Sequence, residues 1–165
     1  MSDTGRRPAV IFDRDGTLAS VAHVAPTDLR SSSQWRDFNA AMPFDAPVPA
    51  VADMLRAVPA GVTRIMTSGR SQGDHVGDRR RLFQMRDWLA KHDLPIDLLI
   101  MRPAGDMRSD DVVKRAMFDQ IIAPRFDVQF VVDDRQQVVD MWRSLGLRVV
   151  QVQDPGIMPP IASQR

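Results

Sequence analysis

Two pairs of aspartates dominate the chemistry open to this chain. Asp13 and Asp15 stand in Phe12-Asp-Arg-Asp-Gly-Thr17, and Asp133 and Asp134 are adjacent. Successive side chains alternate sides in extended backbone, so Asp13 and Asp15 can face one way. Each pair alone has a plain structural reading. Asp-Gly is a common turn, and two acids before a helix serve as cap and dipole partner. Gathered in one place, the four would repel by on the order of 4 kcal/mol per pair at about 4 Å and an effective dielectric of about 20. A fold that gathers them needs a cation. The chain has no cysteine, and its three histidines, His23, His75 and His92, are widely spaced. The ligand set is therefore carboxylate oxygen, which suits a hard divalent ion, Mg²⁺ first. Lys114, Thr67 and Ser68 add a point positive charge and hydroxyl donors near helix N-termini, the parts of a phosphate cradle. These residue types read as metal plus phosphate.

Those residues must be positioned by something regular. Short apolar, β-branched runs at Pro8–Phe12, Val62–Met66, Leu98–Met101, Val128–Val132 and Arg148–Val152 predict strands. Helical spacing predicts helices over 48–58, 79–92, 109–122 and 136–145, the third opened by Ser109-Asp-Asp111 as an N-cap with acids in its first turn. Near-continuous apolar strands alternating with helices predict an α/β, Rossmann-like parallel sheet of about five strands, covered on both faces. Ligands bind beyond the carboxyl ends of such strands. The acids, Thr67-Ser68-Gly69-Arg70 and Arg102 all follow predicted strands. Residues 18–46 lack clear periodicity and read as a loop or small cap insertion, with a helical turn near Trp35 to Ala41. Residues 154–165 are Pro-rich and read as a loose tail of a single domain spanning 1–165. Trp88 and Trp142 fall at core-like helical positions.

Composition narrows the classes further. The 165 residues are 44% hydrophobic and 26% charged, which excludes a disordered chain, and the net charge of +1 excludes a general nucleic-acid coat but not a locally basic cleft. Without cysteine there is no disulfide, thiol nucleophile or iron–sulfur site. No apolar run approaches membrane-spanning length, and the stretch Ala9–Phe12 runs straight into Asp13, unlike a signal peptide. The expectation is a cytoplasmic protein with no membrane partner.

Phe12-Asp-Arg-Asp-Gly-Thr17 resembles the first motif of the haloacid dehalogenase superfamily, and Thr67-Ser68-Gly69, Lys114 and Asp133-Asp134 resemble its second, third and fourth motifs in order. A narrower likeness covers 101–152, where Arg108-Ser-Asp-Asp-Val-Val-Lys114 and Asp133-Asp-Arg-Gln-Gln-Val-Val-Asp-Met-Trp-Arg143 resemble the 3′-phosphatase domain of phage polynucleotide kinase–phosphatases. The resemblance implies Asp13 as nucleophile and Asp15 as general acid and base. It implies Mg²⁺ held by Asp13, the backbone carbonyl of Asp15, and Asp133 with Asp134. Lys114 is implied as the counter-charge to Asp13, and Ser68 with Thr67 as phosphate donors. Gly16, Thr17 and Gly69 complete the substrate-side motifs, and Arg70 with Asp110 are implied as a substrate clamp and its orienter. Arg30 and Arg36 are candidates for an arginine the family carries after its first motif. Arg14 is expected to point away as a surface arginine, and Arg70, Arg102, Arg108 and Arg135 to rim the cleft.

The implied substrate is a nucleic-acid 3′ end, in repair. No G-x-x-x-x-G-K-[ST] loop is present, since Gly69-Arg-Ser-Gln-Gly73 lacks the lysine, so any kinase or ligase is expected as a separate partner. A phosphatase of free nucleotides or small phosphomonoesters, and an inactive nucleic-acid-end-binding module, are the competing readings.

Overall fold

The computed structural model describes residues 5–21 and 32–153. Five parallel strands, β1 (Arg7–Asp13), β2 (Thr63–Ser71), β3 (Leu98–Arg102), β4 (Phe126–Asp133) and β5 (Val149–Gln151), form one sheet in the order β3-β2-β1-β4-β5. Helices α1 (Ser32–Ala41), α2 (Pro49–Arg56), α3 (Arg80–Lys91), α4 (Asp110–Met117) and α5 (Gln136–Ser144) connect them. This is the α/β doubly covered parallel sheet the hydrophobic pattern predicts.

Both strand faces are apolar because both are covered. Val10 and Phe12 of β1 join Met66, Met101 and Val132 beneath Leu55 of α2 and Met85 and Trp88 of α3. Ala9 and Ile11, one residue out of phase, join Ile65, Ile100 and Val131 beneath Val113 and Met117 of α4 and Val138 and Trp142 of α5. Trp88 and Trp142 are core residues, as their helical positions predict. Leu18, Ala19 and Met42, from the aperiodic stretch 18–46, enter the first of these two cores. Residues 22–31 and 154–165, with His23, Arg30 and the tail, lie outside the described residues.

The sheet positions the site through its strand order. The chain runs outward from β1 to β2 and β3, then returns to place β4 on β1's other side. The C-terminal ends of β1 and β4 therefore flank a topological switch point, where parallel sheets open a crevice. Phe12 pairs with Val132, so the next residues, Asp13 and Asp133, emerge side by side. β2 outruns its predicted length, and its pairing with β3 slips between Ser68 and Ser71. Ser68 Oγ accepts from the Arg70 N–H at 3.2 Å at this slip.

Candidate active site

Asp13 ends β1 and is buried. Its Oδ1 accepts from Lys114 Nζ at 2.6 Å, and the same ammonium donates to Asp133 Oδ2 at 3.0 Å. Lys114 belongs to α4 and is 1% exposed. An ammonium is buried at such a cost only when paired. Trp142 Nε1, from the core, donates to Asp133 Oδ2 at 3.2 Å, and the Arg135 N–H donates to Asp133 Oδ1 at 3.3 Å. Asp134 accepts from Thr17 Oγ1 at 3.4 Å.

Carboxylate oxygens of Asp13, Asp133 and Asp134 all lie within 4.8 Å of one another. Three carboxylates face one ammonium, an excess of two negative charges. The protein pays for it in the titration of these groups. Burial pushes the Asp13 carboxyl well above the usual range, against the pull of Lys114, and Asp133, Asp134 and Asp15 push it further. Burial and then the charge of Asp133 push Asp134 up to about 6, although Lys114 opposes this. Burial also opposes the charge of Lys114, yet Asp13, Asp133 and Asp110 reverse it and hold the ammonium far above its ordinary value. A divalent cation held by three oxygens balances the excess of two, and the all-oxygen donor set suits a hard ion. These residues fit such an ion.

Two glycines keep the site compact. Gly16 adopts φ +78°, and a side chain there would collide with the Asp134 carboxylate. A side chain at Gly69 would collide with the Asp110 carboxylate. Asp110 stands at the start of α4, with its Oδ2 3.9 Å from Lys114 Nζ. Ser109 occupies the N-cap position, but its side chain makes no capping hydrogen bond. Thr67 is level with Asp13 on the neighbouring strand, and its buried Oγ1 has no hydrogen-bond partner in the described structure. Ser68 is fully buried beside it.

Asp15 separates from the three-carboxylate cluster. Arg70 Nε reaches its Oδ2 at 2.8 Å, and Arg14 reaches its Oδ1 at 2.5 Å. Burial works against the charge of Asp15, but Arg70 and Arg14 outweigh it and hold the carboxyl down at about 2.

Three arginines differ from expectation. Arg14 is fully buried, not a surface residue, because Asp45 and the Met42 carbonyl receive its guanidinium. Arg70 is buried rather than on the rim, held by Asp15 and by the Phe38 carbonyl at 2.7 Å. Arg102 turns inward to the Gly69, Asp106 and Arg108 carbonyls. Arg108 and Arg135 are exposed, the former paired with Asp106 and the latter 3.7 Å from Asp110. Arg36 is exposed on α1. Asp45, Phe38, Met42 and Trp88 were not among the sequence candidates. They surround the guanidinium groups that hold Asp15, and no spacing rule links them to the motifs.

Residues 7–156 match the family described as the polynucleotide kinase PNKP phosphatase domain. The chain belongs to this family. It is a phosphatase domain of the haloacid dehalogenase type. It is 34% identical to a chain of the Pnkp1/Rnl/Hen1 complex, with a TM-score of 0.73, covering 91% of this domain and 47% of that chain. A chain in a structure of the Pnkp1/Rnl/Hen1 RNA repair complex matches equally, at 34% identity and TM-score 0.73, over 92% of this domain and 44% of that chain. A protein of Autographa californica nuclear polyhedrosis virus, assigned as a bifunctional polynucleotide kinase/RNA ligase, is 36% identical over 66 residues, 39% of this domain and 10% of that protein. The phosphatase domain thus spans less than half the length of these relatives. A hydrolase from Streptococcus pneumoniae TIGR4 shares the fold at 12% identity, with a TM-score of 0.55 over 91% of this domain and 95% of that chain. No helix among the described residues is long and apolar enough to cross a membrane.

Proposed function

We propose that this domain removes 3′-phosphates from polynucleotide ends, in RNA repair, by covalent phosphoryl transfer through Asp13. The observation that carries this reading is the Asp13–Lys114 pair at the switch point, with Asp133 and Asp134 beside it and an unpartnered Thr67 hydroxyl one strand away. The polynucleotide substrate is supported by the family and by the RNA repair complex among its relatives.

In the first step an Asp13 carboxylate oxygen attacks phosphorus, and the bond from phosphorus to the sugar 3′ oxygen breaks. Arg70 and Arg14 keep Asp15 ionised in the free protein, so the proton enters with the phosphate monoanion, passes to Asp15, and is handed on to the leaving oxygen. In the second step a water attacks the aspartyl-phosphate, its proton passes to Asp15, and phosphate and free Asp13 are released. Splitting one displacement into two is covalent catalysis, and acid–base assistance is worth about 10²–10⁴-fold. Lys114 holds Asp13 and offsets its charge against the incoming phosphate. Thr67 and Ser68 donate to phosphate oxygens, Asp110, 3.9 Å from Lys114, orients the ammonium, and Thr17 steadies Asp134, while Arg70 serves Asp15 and not a clamp on substrate. Gly16 and Gly69 leave the room these contacts need. Mg²⁺ held by Asp13, Asp133, Asp134 and the Asp15 backbone carbonyl supplies the charge neutralisation that lets two anions meet. Kinase or ligase activity resides in a separate domain or partner.

Phosphate release from a 3′-phosphorylated oligoribonucleotide and from the matching 3′-mononucleotide, both with Mg²⁺, tests this reading. The oligonucleotide should be strongly preferred. A preference for the mononucleotide would overturn the polymer-end reading in favour of a free-nucleotide phosphatase.

A further inference from the structure

Arg14 lies between the two acids of the first motif, and alternation of an extended strand would send it to the surface. Instead the chain turns back just after Asp15, with the N–H groups of Thr17 and Ala19 both donating to the Arg14 carbonyl. The side chain is fully buried and stacks over Trp88, its guanidinium carbon 4.5 Å from the ring centroid. One terminal nitrogen, Nη1, donates to Asp15 Oδ1 at 2.5 Å and to Asp45 Oδ2 at 2.8 Å. The other, Nη2, donates to the Met42 carbonyl at 2.9 Å. Arg70 forms the opposite corner, on Asp15 Oδ2 at 2.8 Å and Asp45 Oδ2 at 3.4 Å. Trp88 Nε1 fixes Asp45 by donating to its carbonyl at 2.8 Å. Two arginines and two aspartates thus close a square that is buried except at Asp15, which is partly exposed, and only Asp15 is a proposed actor in the chemistry.

We infer that Arg14 is a positioning residue that, with Asp45, aims Asp15 at the leaving oxygen of the first step. This rests on the assignment of Asp15 as general acid. None of Arg14's partners lies in the Asp13–Asp133–Asp134 cluster, and with no exposed surface it does not reach substrate. Its buried charge is instead spent on orientation. The charge of Arg14 opposes a proton on Asp15, so a loss of turnover without Arg14 reports a displaced carboxyl and not a missing proton, and a displacement of about 1 Å in a reacting group costs about 10²-fold.

Proton donation is separable from all else by the leaving group. A sugar alkoxide needs a proton to depart, whereas p-nitrophenolate does not. The experiment is single-turnover release of the leaving group from a 3′-phosphorylated oligonucleotide and from p-nitrophenyl phosphate, with Arg14→Met, Arg14→Lys and Asp45→Asn beside wild type and Asp15→Asn. First-step release alone is read, because Asp15 also serves the second step. Arg14→Met should lose about 10²-fold on the oligonucleotide and less than about tenfold on the aryl ester. Arg14→Lys, which keeps one donor and the charge, should recover part of the difference. Equal losses on both substrates, with an unchanged melting temperature, would mean a merely structural arginine and overturn the proposal. If Arg14→Met does not fold, Asp45→Asn decides: selective loss upholds the proposal, and equal loss or none overturns it. If Asp15→Asn itself shows no leaving-group selectivity, the acid assignment falls, and the role of Arg14 falls with it.

Discussion

Lys114 Nζ lies 2.6 Å from Asp13 Oδ1 although 101 residues separate them. The contact exists because β1 and β4 are neighbours and Lys114 reaches the ends of both from α4, which packs over β2 and β3, so three distant segments meet at one crevice. Lys114→Met leaves Asp13 and Asp133 facing each other without a counter-charge. Turnover should fall by at least about 10²–10³-fold, the scale of one lost charge-stabilising donor. Breaking a buried ion pair from one side should also destabilise the metal-free protein by about 3–5 kcal/mol. Steady-state kinetics and urea unfolding check the two effects separately.

Three carboxylates against one ammonium predict a protein that gains stability with its metal. Chelator should abolish turnover and Mg²⁺ restore it. Mg²⁺ at about 100 times its dissociation constant should add about 2.7 kcal/mol to stability, seen as a raised melting temperature. Asp134→Asn removes one repelling charge, so its metal-free form should melt higher than metal-free wild type, with a smaller Mg²⁺ shift. A melting temperature indifferent to Mg²⁺ would count against the cluster as a metal site.

Gly69→Ala probes the close approach of β2 to α4. The added methyl would meet the Asp110 carboxylate and force it away from Lys114 and from Arg102, whose Nη2 lies 3.4 Å from Asp110 Oδ1. An actor moved by about 1 Å predicts roughly 10²-fold slower turnover. Activity beside a thermal melt checks this; a variant with wild-type rates would show that Asp110 does not orient Lys114.

The loop after β2 carries its own pH dependence. The Arg80 guanidinium, with backbone N–H groups of Asp74 and Arg80, holds the Asp78 carboxyl well below the ordinary range. A carboxyl depressed in the folded state stabilises the fold in full above its unfolded value of about 3.9, and that contribution is lost as pH falls below it. Asp78→Asn should therefore melt lower than wild type at neutral pH, and the gap should close on acidification below about pH 4. A gap that stays constant with pH would assign the effect to packing rather than to charge.

The parts of this molecule legible in its sequence are those built on period and on strand ends. Apolar runs located the five strands, and the residues that follow them carry Asp13, Thr67 and Asp133 to one edge. Lys114 was legible as a basic residue near a helix start, although its near-complete burial was not, since burial depends on which strand lies beneath α4. Arg14 was misread because strand alternation was extended one residue beyond β1, where the chain already turns. Asp45 was invisible, because its partners Arg14, Arg70 and Trp88 come from separate segments and its own stretch has no periodicity. Arg70 and Arg102 looked like rim cations because sequence carries no sign of the carboxylates and carbonyls that draw them inward.

The claim that Asp13 captures phosphorus is tested most directly by acid-quenching the reaction with a 3′-³²P-labelled oligonucleotide and mapping the labelled peptide by mass spectrometry. Label should appear on Asp13 from the oligonucleotide, accumulate in Asp15→Asn from ³²P-labelled p-nitrophenyl phosphate, whose leaving group needs no acid while hydrolysis lacks its base, and vanish in Asp13→Asn along with turnover. Turnover persisting in Asp13→Asn, or label on another residue, would contradict the account.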